Sequence, residues 1–366
     1  MSTSGLVTGD DLARKVWLDD TFETYLGLNF MSRYMGEDEN AVIQVREDLV
    51  KQQGEKLVFP LLGGLTGAGV SGDSTLEGNE EKLNSYSQVV TLDQYRNAVR
   101  TTGKLALKRY PFQFMNKVRP QLTTWKANFD EDKIFAAMGS IDGTAYGAAS
   151  AGQKNTWTAN NVDRVLFGVG ISNYSATHAT ALATIDGTTD KLTCAHISLL
   201  KRMAKLARPR IRPIRIPNGP ASEVFVYFAH PYSTRDLKTD SAWINAQLYA
   251  QPRGMDNPLF TGMIGMWDGV IVVESDKCAI LVDVGNGATV DVAQNFFCGA
   301  QAVLWAQGGV NGDRLGFVEE SFDYENQVGV AIESMYGIEK ARFATGAAGV
   351  SKDHGIITSY VSGQPD

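Results

Sequence analysis

A glycine-rich, acidic tract from Gly63 to Glu81 constrains the fold of this chain more than any other feature. It lies between the apolar run Leu57–Leu62 and the β-prone run Tyr86–Leu92, and this layout predicts a long hairpin with a mobile tip. Glycine loses the most backbone freedom on ordering, and Asp, Glu, Asn and Ser stay solvated, so such a tip cannot bury a core of its own. We therefore expect the tip to become ordered against another molecule, as an arm that contacts a neighbouring subunit.

Length, composition and charge limit the classes of protein to consider. At 366 residues, with 43% apolar and 10% aromatic residues, the chain is long enough for two compact lobes with extensions. Its formal net charge of −7 disfavours a dedicated nucleic-acid binder, because phosphate neutralisation needs a basic surface. The cysteines Cys194, Cys278 and Cys298 are far apart, which favours buried thiols in a reducing compartment. No apolar stretch of about 18 residues occurs, so we expect cytoplasmic synthesis and no contact with a membrane.

Residues 1–35 are expected to form an extended N-terminal arm with one short helix, which begins near Thr8. Aromatic side chains are too frequent here for a free tail, and we expect Trp17, Phe22 and Tyr25 to contact a neighbouring subunit. After the arm, the acidic cluster Glu37–Glu39 is expected to begin a helix that carries Val42, Val45 and Leu49 on one face.

Hydrophobic periodicity predicts mixed helices and strands beyond the hairpin. A long helix is indicated by apolar residues at helical steps, namely Phe114, Val118, Leu122, Trp125 and Phe129. Pro120 is expected to kink it or break it near Arg119, because proline removes a backbone donor. A second helix is indicated by Leu192, His196, Leu199, Met203 and Leu206.

Several later segments have the pattern of strands, and the order of elements is irregular. Strands are predicted at Glu223–Phe228, Gly269–Glu274, Ala279–Val284 and Val328–Ile332, and a helix at Asp240–Ala250. The run Phe296–Ala306 is compatible with a helix or a strand, and residues 139–190 give no assignable pattern. The chain is therefore predicted to be an α+β protein without the regular alternation of a doubly wound sheet.

No motif for catalysis or cofactor binding stands out. Gly67, Gly69 and Gly72 match G-x-G-x-x-G, but acidic residues follow them where a phosphate-binding helix would have to begin. Cys194 and His196 are close in sequence, but their spacing places them on different sides of a helix, and His196 is expected in the core. We expect no cofactor, no metal and no catalytic residues.

A basic run follows the second predicted helix: Lys201, Arg202, Lys205, Arg208, Arg210, Arg212 and Arg215. One interpretation is contact with phosphate on a DNA-facing surface, and the other is a solvated or inter-subunit ion-pairing surface. Since the whole chain is acidic, we favour the ion-pairing interpretation.

Several segments, in this order, give the chain a resemblance to a known family: Gly72–Glu81, His230–Pro231, Asp236–Asp240, Trp243, Asp256–Gly262, Phe322–Gln327 and Tyr336–Lys340. From about residue 20 to Gly355, the chain resembles the major capsid proteins of tailed bacteriophages of the N-four type. The resemblance implies the Hong Kong 97-type capsid fold, with an N-terminal arm, an extended hairpin called the E-loop, a peripheral domain with a spine helix, and an axial domain.

The resemblance also implies a division of the chain into domains. Residues 1–35 would form the N-terminal arm, 36–54 and 101–224 the peripheral domain, 55–100 the E-loop, 225–317 the axial domain, and 318–366 the return to the peripheral domain. The inter-subunit contact of the E-loop tip would involve Gly67, Gly69, Gly72, Asp73, Leu76, Glu77, Asn79, Glu80 and Glu81.

The function that the resemblance implies is structural. Copies of the chain would assemble into pentamers and hexamers of an icosahedral shell around double-stranded DNA, in the host cytoplasm and then in the virion. The expected partners are the chain itself, a separate scaffolding protein, a portal and a decoration protein, with weak non-specific contact with the packaged DNA. Two alternatives stay open at this point: another structural phage protein of the tail or decoration type, and a cytoplasmic enzyme of unknown class.

Overall fold

The structure is a computed structural model, and it describes residues 29–63, 69–73, 75–81, 83–109, 114–214, 223–249, 264–309, 312–346 and 349–365. The predicted N-terminal arm therefore lies almost entirely outside the described residues, together with its contact residues Trp17, Phe22 and Tyr25. Within the described ranges, no helix is both long enough and apolar enough to cross a membrane.

Helices and strands of the described residues are numbered in chain order. The helices are α1 (Lys104–Arg109), α2 (Phe114–Met138), α3 (Ala151–Asn160), α4 (His178–Leu182), α5 (Cys194–Leu206), α6 (Pro231–Thr239) and α7 (Ser241–Tyr249). The strands are β1 (Met35–Gly36), β2 (Ile43–Leu49), β3 (Lys56–Leu62), β4 (Ser85–Thr91), β5 (Asp93–Arg100), β6 (Val165–Phe167), β7 (Phe225–Ala229), β8 (Gly265–Trp267), β9 (Val270–Glu274), β10 (Ile280–Leu281), β11 (Val292–Cys298), β12 (Val303–Gly308), β13 (Gly316–Phe322), β14 (Gln327–Lys340), β15 (Arg342–Phe343), β16 (Lys352–Asp353) and β17 (Ile356–Ser362). Short 3-10 helices lie at Phe30–Tyr34, Ile171–Asn173 and Asn286–Ala288.

A six-stranded mixed sheet is organised around the long strand β14. Strand β5 pairs with one edge of β14, while β12 and β13 pair with successive parts of the other edge, all antiparallel. Strand β2 then adds parallel to β12, and β1 adds parallel to β2. Several neighbouring strands of this sheet come from distant parts of the sequence, and the pairings are mostly antiparallel. The strand order therefore differs from that of a doubly wound α/β protein.

A seven-stranded mixed sheet forms the second layer, in the order β6-β17-β11-β7-β9-β8, with β10 beside β11. Every residue of β7, β11 and β17 is buried, which is typical of strands covered on both faces. Helix α5 covers one face, where Ile197, Leu200 and Ala204 pack with Phe225 and Phe297. The short strand β6 and helices α3 and α4 lie within residues 139–190, whose structure the sequence did not indicate.

Helix α2 joins the two sheets. Its first half packs on β14, where Val118 and Leu122 contact Val330 and Ile332. Its second half places Ile134 and Phe135 in a core shared with residues of the seven-stranded sheet. Of the predicted kink or break near Arg119, the break does not occur, since one helix runs from Phe114 to Met138 with Pro120 inside it. Packing of residues on both sides of the proline against one sheet holds the helix together there.

The helix predicted after Glu37–Glu39 is wrong, because Ile43–Leu49 is strand β2. Val42, Val45 and Leu49 match a helical period, but Ile43 and Val45 also match the alternation of a strand. The segment pairs with β12 on one side and with β1 on the other, and this pairing stabilises the strand over a helix. The run Phe296–Ala306 proves to be the end of β11 and the start of β12, in different sheets.

Candidate inter-subunit surface

The predicted hairpin is present as β3 and β4, which pair antiparallel from Lys56–Thr91 to Leu62–Ser85. Its inner face does not project into solvent, since burial alternates along β3 and places Leu57, Phe59 and Leu61 inside. These side chains pack with Leu304, Ala306, Ala341 and Phe343 of the chain's own body. The root of the hairpin is therefore part of the subunit core, whereas none of the described residues between Leu62 and Ser85 is buried.

Hydrogen bonds of Gln88 fix the root further. Its amide Nε2 donates to the carbonyl of Lys340 at 3.0 Å, and its Oε1 accepts from the backbone N–H of Arg342 at 2.6 Å. Nε2 also lies 2.9 Å from a carboxylate oxygen of Glu339. A buried amide with these partners aligns β4 with the end of β14, so the hairpin leaves the body in a defined direction.

The outer face of the same hairpin is apolar and exposed. Val58 and Val89 lie opposite each other across the ladder and are 48% and 46% exposed, and Leu62 is 67% exposed. Exposed β-branched and leucine side chains on a paired strand face are characteristic of surfaces that another molecule covers. Alternation thus divides the hairpin into one face for the subunit core and one face for contact.

The tip carries most of the predicted contact residues, and all those that are described are exposed: Gly69, Gly72, Asp73, Leu76, Glu77, Asn79, Glu80 and Glu81. Gly67 lies outside the described residues. A turn at Leu76–Asn79 is closed by the bond from Asn79 N–H to the Leu76 carbonyl at 2.9 Å, with Gly78 at a positive φ of 86°. Only glycine adopts that φ without strain, so the glycine-rich sequence here serves a specific turn.

The basic run divides into paired and unpaired side chains. Lys201 binds Asp268 at 2.6 Å, Arg212 binds Glu39 at 3.2 Å, and Arg210 lies 4.0 Å from Glu223. Among the described residues, Arg202, Lys205 and Arg208 have no ion-pair partner, and Arg215 lies outside them. Lys201, Arg210 and Arg212 thus form ion pairs within the subunit, whereas Arg202, Lys205 and Arg208 remain available for another molecule. The choice between an inter-subunit and a DNA-facing surface stays a prediction.

A cleft of about 1040 Å³ brings the basic run next to the root of the hairpin. Its lining comes from three segments that are distant in sequence: Leu61–Gly63 with Glu81, Asn84 and Tyr86; Lys205–Arg210 with Arg212; and Thr345–Gly346 with Lys352 and His354. Glu39 completes the lining. The glycine tract and the basic run are far apart in the sequence, and the fold brings residues of both to one cleft.

Leu206 departs from the helical stripe predicted for its segment. The buried side of α5 consists of Cys194, His196, Ile197, Leu200 and Ala204. Leu206 is 71% exposed and faces the cleft instead. The predicted stripe through Leu199, Met203 and Leu206 is offset from the buried side, because Leu199 and Met203 are only half-buried and Leu206 lies opposite Ile197.

Three histidines are buried and held neutral. Burial lowers the pKa of His196 from 6.5 to about 4, and its Nε2 lies 2.7 Å from the Ser359 hydroxyl, which confirms the predicted core position. Burial likewise lowers the pKa of His178 to about 4, and burial together with nearby arginines lowers that of His354 to about 3. Charging any of them would place a cation in an apolar interior.

Buried charges are a feature that the sequence reasoning missed. Lys340 and Asp353 form an ion pair of 2.9 Å with both side chains 1% exposed, although the angle is poor for a hydrogen bond. Trp157 donates its indole N–H to the same carboxylate at 3.1 Å. This pair links the end of β14 to β16, beside the segment that supports the hairpin root.

The geometry does not resemble an active site. The cysteines Cys194, Cys278 and Cys298 are buried free thiols, as predicted, and burial raises the pKa of Cys194 to about 12. Within the described part of the chain, no group of three or more His, Cys, Asp or Glu side chains could hold a metal ion. The exposed features are instead a projecting tip, an apolar strand face and a charged cleft.

Comparison with known proteins identifies the family. A family model described as phage capsid protein matches residues 6–362. The chain belongs to the phage capsid protein family. It is 28% identical over 377 residues to the major capsid protein of Pseudomonas phage KPP25, covering 95% of each chain. This capsid family is structural, so the enzyme and tail-protein alternatives raised from the sequence are wrong.

Solved capsids share the fold of the chain. The cyanophage Pam1 capsid asymmetric unit matches with a TM-score of 0.80 and 31% identity over 92% of each chain. The capsid of Ralstonia phage GP4 matches with a TM-score of 0.72 and 25% identity, covering 100% of this chain and 99% of that one. The predicted α+β capsid fold of the Hong Kong 97 type is thereby confirmed, and the chain is a structural capsid subunit.

Proposed function

We propose that the chain is the major capsid subunit of a phage, whose copies form the pentamers and hexamers of an icosahedral shell around double-stranded DNA. The observation that carries the proposal is the end-to-end match to a chain of the Pam1 capsid, with a TM-score of 0.80 over 92% of both chains. A match of this extent covers far more than one shared domain.

Exposed features of the chain support a role in a closed shell. A shell needs heterologous contacts that repeat around its symmetry axes, and the projecting tip with the apolar face of β3 and β4 offers one side of such a contact. Each subunit would engage several neighbours, so individually weak contacts add up through multivalency. An obligate assembly of this kind is expected to bury more than about 2000 Å² per interface.

The domain roles follow the fold type. We propose that residues 1–35 form an arm, 36–54 and 101–224 the peripheral domain with α2 as its spine, 55–100 the E-loop region, 225–317 the axial domain, and 318–366 a return segment. Within residues 55–100, strand β5 pairs with β14 and the root of the hairpin ends at Leu62. The part of this range proposed to contact a neighbour is therefore the tip beyond Leu62.

Further partners belong to the same proposal. A separate scaffolding protein, a portal and a decoration protein would assist assembly in the host cytoplasm, and the mature particle would carry the chain in the virion. Contact with packaged DNA would be weak and non-specific, because the chain has a net charge of −7.

Light scattering after size exclusion, with negative-stain electron microscopy of the purified chain, tests the proposal. Hollow icosahedral shells, or rings of five and six copies that add to them, are expected. A chain that stays monomeric when a scaffolding protein is co-expressed would contradict it.

The same assay tests the role of the tip. Gly69 has a φ of +67°, which proline cannot adopt, so Gly69→Pro should disturb the tip and lower the particle yield without unfolding the subunit. Gly67→Pro is expected to act in the same way. Gly69→Asn is the matched control, since asparagine tolerates a positive φ. An unchanged yield for Gly69→Pro would refute this role.

A further inference from the structure

The cleft beside the hairpin root has an excess of positive charge. Its lining contains five cations, Lys205, Arg208, Arg210, Arg212 and Lys352, against two acids, Glu39 and Glu81, which leaves a net charge of +3 with His354 neutral. The neighbouring acids neutralise only part of this set, because Lys205 and Arg208 have no ion-pair partner among the described residues. A concave surface with unpaired cations in an acidic protein indicates a specific anionic ligand.

The same cleft has an apolar component. Leu62, at the end of β3, and Leu206, at the end of α5, line it and are 67% and 71% exposed. Two leucines at the ends of regular elements would leave the solvent if an apolar side chain entered between them. The ligand that fits this lining therefore combines carboxylates with at least one apolar side chain, as an acidic peptide does.

The hairpin tip has the complementary composition. Leu76 is 61% exposed, and the exposed acids Asp73, Glu77 and Glu80 are close to it in sequence. None of these three carboxylates has an ion-pair partner among the described residues, although Glu80 accepts a hydrogen bond from the Gly78 N–H at 2.8 Å. The turn at Leu76–Asn79, with a second bond from the Asn79 amide to the Thr75 carbonyl at 2.9 Å, presents this segment in one conformation.

We propose that the cleft of one subunit binds the tip segment 73–80 of a second copy, with Leu76 against the exposed leucines and the tip carboxylates against Lys205 and Arg208. The inference rests on the proposed function, because it requires copies of the chain to assemble. It identifies the surface that would receive the arm of a neighbour, in which cations of the basic run bind the acidic residues of the tip.

The lining of the cleft favours a second copy over the subunit's own tip. Gly63 and Asn84, joined by a bond from the Gly63 N–H to the Asn84 carbonyl at 2.8 Å, lie at its edge. Among the described tip residues, Glu81 lines the subunit's own cleft, whereas Asp73, Leu76, Glu77 and Glu80 do not. The cleft is therefore open to Leu76 and the acids beside it from a second copy.

Nucleic acid fits the cleft less well than the peptide. A phosphate backbone needs a continuous basic strip and gains little from exposed leucines. Lys201, Arg210 and Arg212 of the basic run are already engaged by acids of the chain itself. The apolar lining and the partial neutralisation together favour a short acidic segment with a leucine.

Charge exchange tests the contact in particles assembled from the full chain. Lys205→Glu with Arg208→Glu, or Glu77→Lys with Glu80→Lys, should each lower the pelleted particle fraction about tenfold, since both place like charges at the contact. Combining all four changes should restore the fraction to within about threefold of the wild type, as expected for coupled sites. Arg202→Glu is the matched control, because Arg202 belongs to the same basic run but does not line the cleft; it should assemble normally.

Cysteine cross-linking distinguishes contact between copies from contact within one. A chain with Arg208→Cys is co-assembled with a chain with Glu77→Cys and oxidised, and the three native thiols are buried and should not interfere. A disulfide-linked dimer on a non-reducing gel supports the proposal. A bond formed only within the doubly substituted chain overturns it, and the subunit's own tip is then the occupant.

The remaining outcomes separate this inference from the proposed function. If the two charge-reversed double variants form shells as well as the wild type does, the docking site is wrong while the capsid function stands. If they form shells but lose co-purifying DNA, the cleft binds nucleic acid and the docking site is again wrong. A wild-type chain that stays monomeric when a scaffolding protein is co-expressed overturns both.

Discussion

His196 is expected to make the isolated subunit sensitive to mild acid. Burial lowers the pKa of its imidazole from 6.5 to about 4, whereas in the unfolded chain it returns to its ordinary value. Between these two pH values the unfolded chain binds one more proton than the folded chain. Stability is therefore fully present above pH 6.5 and is lost as the pH falls towards the folded pKa.

The size of the loss follows from the pKa difference. At pH 5 the unfolded imidazole is protonated and the folded one is not, so the free energy of unfolding falls by about 2 kcal/mol relative to pH 7.5. His178 and His354 contribute losses of similar size, since their pKa values are also lowered, to about 4 and about 3. The total at pH 5 is a large fraction of the stability of an ordinary domain.

Urea denaturation of the unassembled chain at pH 7.5 and pH 5.0 measures the effect. His196→Gln should lose about 2 kcal/mol less than the wild type between these pH values, because the glutamine does not titrate. Ser359→Ala is the matched control: it removes the 2.7 Å contact with His196 but keeps the imidazole, so it should lower stability equally at both pH values. Equal pH-dependent losses for His196→Gln and the wild type would refute the reasoning.

Two further predictions concern the support of the hairpin, and urea denaturation at neutral pH measures both. Asp353→Asn should destabilise the subunit by about 3–5 kcal/mol, because it leaves the Lys340 ammonium buried without a counter-charge. Asp142→Asn is the control: it removes a partly exposed ion pair and should cost at most about 1 kcal/mol. Similar losses of stability for the two variants would contradict the account. Phe59→Ala should cost about 3–5 kcal/mol, because Phe59 is 1% exposed in the core beneath β3. Leu62→Ala on the same strand should change stability by no more than about 0.5 kcal/mol, and a loss for Phe59→Ala as small as this would show that the root is not part of the core.

Elements with strong local patterns could be predicted from the sequence. The hairpin was indicated by two β-prone runs around a glycine tract, and α2 and β14 by sustained helical and alternating periods. Local reasoning failed for Ile43–Leu49, where the same apolar residues suit a helix and a strand. The choice there depends on β12, more than 250 residues away in the chain, and no local pattern reports that pairing.

The candidate surface could be predicted only in part. Its two charged components are visible in the sequence, as the acidic tract near Glu77 and the basic run near Arg208. The cleft is not, because its lining combines segments around residues 62, 206 and 352 that only the tertiary fold brings together. Leu206 is an example at the level of one residue. It continues the predicted spacing of Leu199 and Met203, but it lies two residues after the buried Ala204, on the opposite side of α5.

The division of the hairpin into a core face and a contact face explains how one element serves two purposes. Alternation along β3 buries Phe59 against the subunit and leaves Leu62 for contact. A register shift of one residue would exchange the two faces, so the bonds of Gln88 to the end of β14 also protect the contact surface. Stability of the subunit and competence for assembly are thereby linked in the same strands.

Electron cryomicroscopy of particles assembled from the purified chain, with a scaffolding protein if one is needed, tests the central claim most directly. The account predicts a closed icosahedral shell in which the tip between Leu62 and Ser85 of each copy lies on a neighbouring copy. An open or irregular assembly, or a shell in which every tip lies on its own subunit, would contradict it.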